Sequence, residues 1–365
     1  MSLYTTPLQI GYFIALLMWL IFLVRGFKEQ RLSDKLLGWV FFILAMELQD
    51  YTFGFAGINI LWNELNGFPR GVSLLFGPLV YYYFRAQLNR SLRLEPKDAL
   101  HLIPYVVYFL LNLFVFVQGQ EAISQFQGSS IDVFISYIYE VGCIISYIYY
   151  LAKCLQIYQS YRSWYKDHFS TDQISFKWFR NFIVSMIIWL LFREIMHVLD
   201  AMMELDFYQE WWWNLALVVV VFYIGLTGFA QKQPATIDFE SDVSKALQLA
   251  AVDEKPSQLA DQLQAIMDRD RLYLQPELSL SELAQHLSVK PHELSATINQ
   301  IHKKNFNEYI NSLRIKAFID KYRSDSENQY TLLSLAMDSG FNSKATFNRA
   351  FKKQMGVSPK EFLQT

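Results

Sequence analysis

Charge is what this chain has least of. Only 18% of its 365 residues are Asp, Glu, Lys or Arg, against roughly 25% in an ordinary soluble domain. The formal net charge is -2. Cysteine is nearly missing as well, since Cys143 and Cys154 are the two present, and that excludes a disulfide scaffold. On one helix they would stand roughly 16 Å apart at about 1.5 Å per residue, too far to bridge. They read as small buried apolar side chains. No His-Glu-x-x-His, Gly-x-Ser-x-Gly or P-loop pattern occurs, so a membrane hydrolase or sensor kinase finds no signature here. Nothing asks for a cofactor or a metal, and the chain reads as a non-enzyme. Disorder is excluded by 61 aromatic residues.

The shortage of charge is uneven. Residues 1–230 hold 15 Lys and Arg and 17 Asp and Glu, whereas residues 231–365 hold 17 of each. Two regimes in one chain predict two domains with different surroundings. In the first part seven apolar stretches follow one another: Leu8–Val24, Leu36–Gly57, Val72–Ala86, Leu100–Val117, Ile131–Leu151, Trp178–Leu199 and Trp211–Ala230. Most have the roughly 17–25 residues that a helix needs to cross a bilayer. The third is the shortest and carries Gly77 and Pro78.

Loop charge predicts the orientation. The loops after the first, third and fifth stretches, with their flanks, hold 13 basic residues: Arg25, Lys28, Arg31 and Lys35; Arg85, Arg90, Arg93 and Lys97; Lys153, Arg162, Lys166, Lys177 and Arg180. The opposite side has Arg70 alone. Basic loops stay in the cytoplasm, so the amino terminus is expected outside and the carboxyl terminus inside. Trp211–Trp213 and Tyr81–Tyr83 read as interfacial belts. The first stretch reads as an anchor rather than a cleaved signal, because its basic cluster follows it.

Ionisable residues within such stretches point to function. Glu47, Asp50, Glu140, Arg193, Glu194 and His197 fall at similar depth in the outer half of the expected bundle. Four carboxylates outnumber one Arg and one His, which suits an outward-facing pocket for a polar or cationic ligand. A buried ion pair that only registers the helices, for instance Arg193 with Glu47 or Glu140, is an alternative. A proton path is another. The last stretch has no lysine within it, so a Schiff-base chromophore there is excluded.

After Ala230 the character changes. Residues 231–270 are acidic, with 4 basic and 8 acidic side chains, and residues 271–365 reverse the balance with 13 and 9. A short helix pattern over Leu280–Leu287, behind a serine cap, breaks at Ser288–Pro291, and a second helix begins over His292–Ile301. About 52 residues later Leu333–Ser339 repeats the first helix, Gly340–Ser343 makes the turn, and Lys344–Gln354 repeats the second. Two short helices joined by a tight turn form a helix-turn-helix. Asn307–Arg323 is long enough to be one helix spacing the two units.

The run Gly340-Phe341-Asn342-Ser343-Lys344-Ala345-Thr346-Phe347-Asn348-Arg349-Ala350-Phe351, then Gly356-Val357-Ser358-Pro359, resembles the signature of AraC/XylS-type transcription regulators. Asn305-Phe306, Tyr309-Ile310-Asn311 and Leu313-Arg314 match that family's region between the motifs. The resemblance covers roughly residues 257–365. It implies an all-helical module with two recognition helices entering successive major grooves of double-stranded DNA. The first would present His292, Ser295, Ala296 and Asn299 to the bases, and the second Lys344, Ala345, Asn348 and Arg349. Arg349 is the best base reader, since Arg bonds guanine bidentately. Lys303, Lys304, Ser343, Lys352 and Lys353 would meet phosphates.

The expectation is an all-α chain with a seven-helix transmembrane sensor over 1–230, a cytoplasmic linker over 231–256 and a DNA-binding domain over 257–365. Its place would be a bacterial cytoplasmic membrane. Its partners would be DNA, the lipid bilayer, an external or membrane-borne ligand and a second copy in a homodimer. The rival reading is a transporter-like bundle with a regulatory tail, which would show internal repeats or broken helices.

Overall fold

The computed structural model describes residues 5–56, 65, 67–89, 91–170, 176–204, 211–230, 256–325 and 329–362. Arg90, Gly57, the loop end at 205–210 and the linker residues 231–255 lie outside them. Among the described residues all helices and no strands are found, apart from one isolated bridge between Phe169 and Ser279.

The chain divides into two compact units. One comprises Met1–Tyr158 and Phe176–Asp238, the other Gln159–Ser175 and Phe239–Thr365. The segment after the fifth expected span therefore groups with the carboxyl-terminal part.

The first unit holds α1 (Thr5–Lys28), α2 (Leu32–Ala56), α3 (Phe76–Leu88), α4 (Ile103–Phe116), the short α5 (Gln120–Phe126), most of α6 (Ser130–His168), α7 (Phe176–Met203) and α8 (Trp211–Ala230). α2 lies at its centre, packed on α1, α3 and α8, and buries Val40, Phe41, Leu44, Ala45 and Leu48 completely. At the start of α2, Asp34 accepts two 2.7 Å hydrogen bonds from Arg25, whose Nη1 also donates to the Phe229 carbonyl at 3.1 Å. That bidentate geometry fastens α1 to α2 and to the end of α8.

Five helical segments are long and apolar enough to cross a membrane: Thr6–Lys28, Pro96–Phe116, Ser130–His168, Trp178–Asp200 and Trp211–Ala230. The seven expected from hydropathy are thus not all reproduced. α2 carries Asp34, Lys35, Glu47 and Asp50, and its neighbours enclose it, so it need not be apolar all round. α3 has 13 residues, about 20 Å at 1.5 Å per residue, which falls short of a core of about 30 Å. Outward-facing apolar side chains are numerous. Val106, Val107, Leu110, Leu111 and Phe114 on α4 are exposed, as are Ile188, Leu191 and Ile195 on α7. Contiguous apolar surface of this extent is foreign to an ordinary water-facing monomer.

The aromatic belts are corrected. Tyr82 and Tyr83 are buried, and Tyr83 accepts a 2.8 Å hydrogen bond from the Trp178 indole. Trp211 and Trp213 are also buried, and only Trp212 of that trio faces outward. Both cysteines are free and buried, as expected.

The second unit contains α9 (Pro256–Asp270), α10 (Leu280–His286), α11 (Pro291–Thr297), α12 (Phe306–Ser324), α13 (Leu332–Asp338), α14 (Lys344–Met355) and the single turn α15 (Pro359–Phe362). α12 serves two cores. Its Phe306, Tyr309 and Ile310 pack with α9, α10 and α11. Its Ile315 and Phe318 pack with Leu335, Phe341, Phe347 and Phe351. Each helix-turn-helix is too small to enclose a core alone, and the shared α12 completes both.

Candidate nucleic-acid interface and helix-bundle cavity

Local chemistry sets each recognition helix. Ser279 and Glu282 start α10 with a reciprocal capping box: Glu282 N–H donates to Ser279 Oγ at 3.2 Å, and Ser279 N–H to Glu282 Oε2 at 2.8 Å. Pro291 opens α11, where its fixed φ suits a first helical turn. The helix expected over His292–Ile301 is α-helical only to Thr297, and Ile298–His302 forms a π turn. Lys303 ends it at φ +53°. In the second unit Ser343 caps α14, accepting from Thr346 N–H at 3.2 Å.

The turn before α14 needs glycine. Gly340 has φ +94°, and a Cβ there would lie 2.6 Å from the Tyr273 carbonyl oxygen and 3.0 Å from Arg314 Nε. Arg314 itself is 1% exposed. Its Nε donates to Tyr273 O at 2.7 Å and its Nη2 to Gln275 O at 2.7 Å. The same guanidinium reaches the Phe169–Ser170 segment, with Nη1 on Ser170 O at 3.2 Å and Nη2 on Ser170 Oγ at 3.1 Å. Burial pushes this guanidinium down to about 10, so it remains charged at neutral pH. Asn307 Nδ2 and Ser170 N–H add bonds to Phe169 O and Leu278 O. Sequence reading placed Arg314 in a motif and gave Ser170 no role. No local pattern announces a contact across 144 positions.

The expected base-facing residues divide by exposure. Lys344, Ala345, Asn348 and Arg349 on α14 are all exposed, while Phe347 and Phe351 turn into the core. On the first helix-turn-helix Ala296 and Asn299 are exposed, and His292 and Ser295 are half-buried, with His292 3.8 Å from Glu293. Among the expected phosphate contacts, Lys303 and Lys352 are exposed and Lys304 is half-buried. Ser343 is occupied as a cap and donates to Thr346 Oγ1 at 2.9 Å. Lys353 is ion-paired with Glu308 of α12. Burial works to raise the Glu308 carboxyl, but the hydrogen bonds from Lys353 and from the Asn305 backbone outweigh it and hold it below its usual range.

In the first unit a cavity of about 180 Å³ is lined by Glu47, Glu140, Arg193 and His197, with Ser73, Tyr139, Trp189 and Trp213 among its other walls. Four of the six ionisable residues expected to converge do so. Asp50 instead pairs with Arg70 at 3.2 Å on an exposed surface, and Glu194 is turned to its neighbour Arg193 at 3.3 Å. Arg193 Nη1 donates to Tyr147 OH at 3.4 Å. Arg193 thus has Glu194, and neither Glu47 nor Glu140, as its ion-pair partner. His197 stacks on Trp213 with ring centroids 5.5 Å apart.

Residues 283–365 match a family described as a helix-turn-helix domain. Over 103 residues the chain is 29% identical to uncharacterised HTH-type transcriptional regulators of Staphylococcus aureus strains COL, MSSA476 and N315, covering 28% of this chain and 13% of each of them. The match thus spans only a small part of those longer proteins. No solved structure gives a significant match. The carboxyl-terminal part is therefore a helix-turn-helix domain of the kind found in transcriptional regulators, which are not enzymes.

Proposed function

We propose that the chain is a membrane-embedded, one-component transcription regulator of the AraC/XylS type. Residues 1–230 would sense a signal in a bacterial cytoplasmic membrane, residues 231–256 would link, and residues 257–365 would bind promoter DNA, two copies acting together. One observation carries the reading: the same chain joins a two-lobed helix-turn-helix unit to a bundle with five helices apolar enough to span a bilayer. An ordinary soluble regulator has no use for such helices.

Arg349 and Asn348 read base edges in this scheme, with Lys344 beside them at the start of α14. Lys303 and Lys352 take phosphates. His292, Ser295, Ala345 and Asn299 complete the base-facing set, and Lys304, Ser343 and Lys353 adjoin it. Seven spans, with the amino terminus outside, remain our proposed topology on the 13-to-1 division of basic loop residues.

The sensing role is tested by reporter transcription normalised to membrane protein level for Glu47→Gln, Glu140→Gln, Arg193→Gln and His197→Gln. A sensor site predicts altered normalised activity. Wild-type normalised activity in all four, under every growth condition tried, would leave the cluster a structural feature only.

A further inference from the structure

We infer that the helix-bundle cavity binds a small zwitterion of amino-acid size, one carrying a carboxylate and an ammonium group. This deepens the sensor reading above and rests on it for its biological meaning. The cavity of about 180 Å³ has room for a small solute rather than a single ion or water.

The lining carries both signs. Glu47 and Glu140 supply carboxylates, and Arg193 and His197 supply a guanidinium and an imidazole that is cationic when protonated. Much of their bonding capacity is unanswered. One Glu47 oxygen accepts from Ser73. Glu140 has no hydrogen bond or ion pair among the described residues, and His197 has only its ring contact with Trp213. Arg193 is 15% exposed, and its Nε is buried without an aligned acceptor.

Glu47 and Arg193 are half-buried and Glu140 and His197 exposed, so the cavity presents both signs of charge to a solute that enters it. A simple anion would answer Arg193 and His197 and leave both carboxylates unmet. A simple cation would do the reverse. A zwitterion answers both at once, with its carboxylate at Arg193 and His197 and its ammonium at Glu47 and Glu140. Arg193 and His197 stand four residues apart on one face of α7, which lets both reach one carboxylate. Trp189 and Trp213 give the remaining wall an apolar, π-rich surface, suited to a short side chain or to the ammonium.

The test uses the full-length protein in lipid nanodiscs. Thermal unfolding is followed with each standard L-amino acid and with γ-aminobutyrate, and in parallel with propionate and propylamine. The inference predicts that at least one zwitterion raises the melting temperature and that neither single-charge probe does. Titration of that zwitterion should then weaken about tenfold or more in Glu140→Gln and in Arg193→Gln, each of which removes a hydrogen bond between charged groups.

Stabilisation by propionate alone, with Glu140→Gln indifferent, would make this an anion site and overturn the inference. Stabilisation by propylamine alone would make it a cation site and overturn it equally. No shift with any zwitterion also overturns it. A zwitterion that binds while normalised reporter activity stays constant would sustain the site and sink the sensor reading. Altered reporter activity in the four variants without zwitterion binding would do the opposite.

Discussion

Arg314→Met should be the most damaging single change in the second unit. The substitution keeps most of the side-chain bulk and removes the guanidinium. Five acceptors then lose a donor: Tyr273 O and Gln275 O, each bonded at 2.7 Å, Pro276 O at 3.3 Å, and the Ser170 carbonyl and hydroxyl. Replacing a buried ion pair by apolar groups can be neutral, because both charges leave together. Here the acceptors are mostly backbone carbonyls that cannot leave. Each buried acceptor left unmet costs about 1–3 kcal/mol. Methionine avoids the desolvation that pushes the Arg314 guanidinium down to about 10, and this offsets part of the loss. A net cost of about 3–5 kcal/mol remains, a large share of a typical 5–15 kcal/mol domain stability. Hydrogen exchange by mass spectrometry on the full chain reads it directly, in the amides of residues 272–280 and 306–318. Protection in both segments should fall together, because one side chain ties them. Exchange within about 0.5 kcal/mol of wild type would refute the reasoning, and Arg314→Lys should fall between the two.

Further outcomes follow from the same geometry. Gly340→Ala, at φ +94° with its Cβ 2.6 Å from Tyr273 O, should lower thermal stability of the second unit by about 1–3 kcal/mol; no change would show that the turn yields freely. Arg349→Ala should cost about 1–3 kcal/mol of specific DNA affinity and relax preference at one base position, whereas Lys352→Ala should weaken all sequences alike and flatten the salt dependence. An unchanged preferred sequence in Arg349→Ala would remove α14 from base reading. His302 is held below its ordinary 6.5 by burial and by Lys304, so the unfolded chain takes up that proton more readily than the folded one. Its contribution to stability is complete above pH 6.5 and is lost as the pH falls from there to the lower folded value. Melting curves against pH should show this decline in wild type and lose it in His302→Gln.

The repeat was the most legible feature, because capping and core positions are local. Ser279 before Leu280, Pro291 opening α11 and Gly340 in the second turn all sit where their short-range chemistry requires. Phe347 and Phe351 were readable as core by their spacing of four. Hydropathy read α1, α4, α6, α7 and α8 as apolar helices long enough to span, and the two further stretches it marked, α2 and α3, stand apart from these five by their charge and by their length. The cavity was legible at Glu47, Glu140, Arg193 and His197, since charge in an apolar helix needs a common destination. Asp50 shared their depth and went elsewhere, because Arg70 lay within reach. The contact of Ser170 with Arg314 was not legible, for it depends on a tertiary approach that no sequence period encodes.

Mapping the genomic DNA bound by the membrane-extracted protein tests the central claim most directly. Cells carry the full chain, the Arg349→Ala variant or a chain lacking residues 257–365, and cross-linked DNA is recovered from the membrane fraction. The account predicts discrete promoter-proximal sites with the full chain, redistributed or lost in Arg349→Ala and absent in the truncated chain. Recovery of the full chain in the soluble fraction, or bound DNA that is the same with and without residues 257–365, would contradict it.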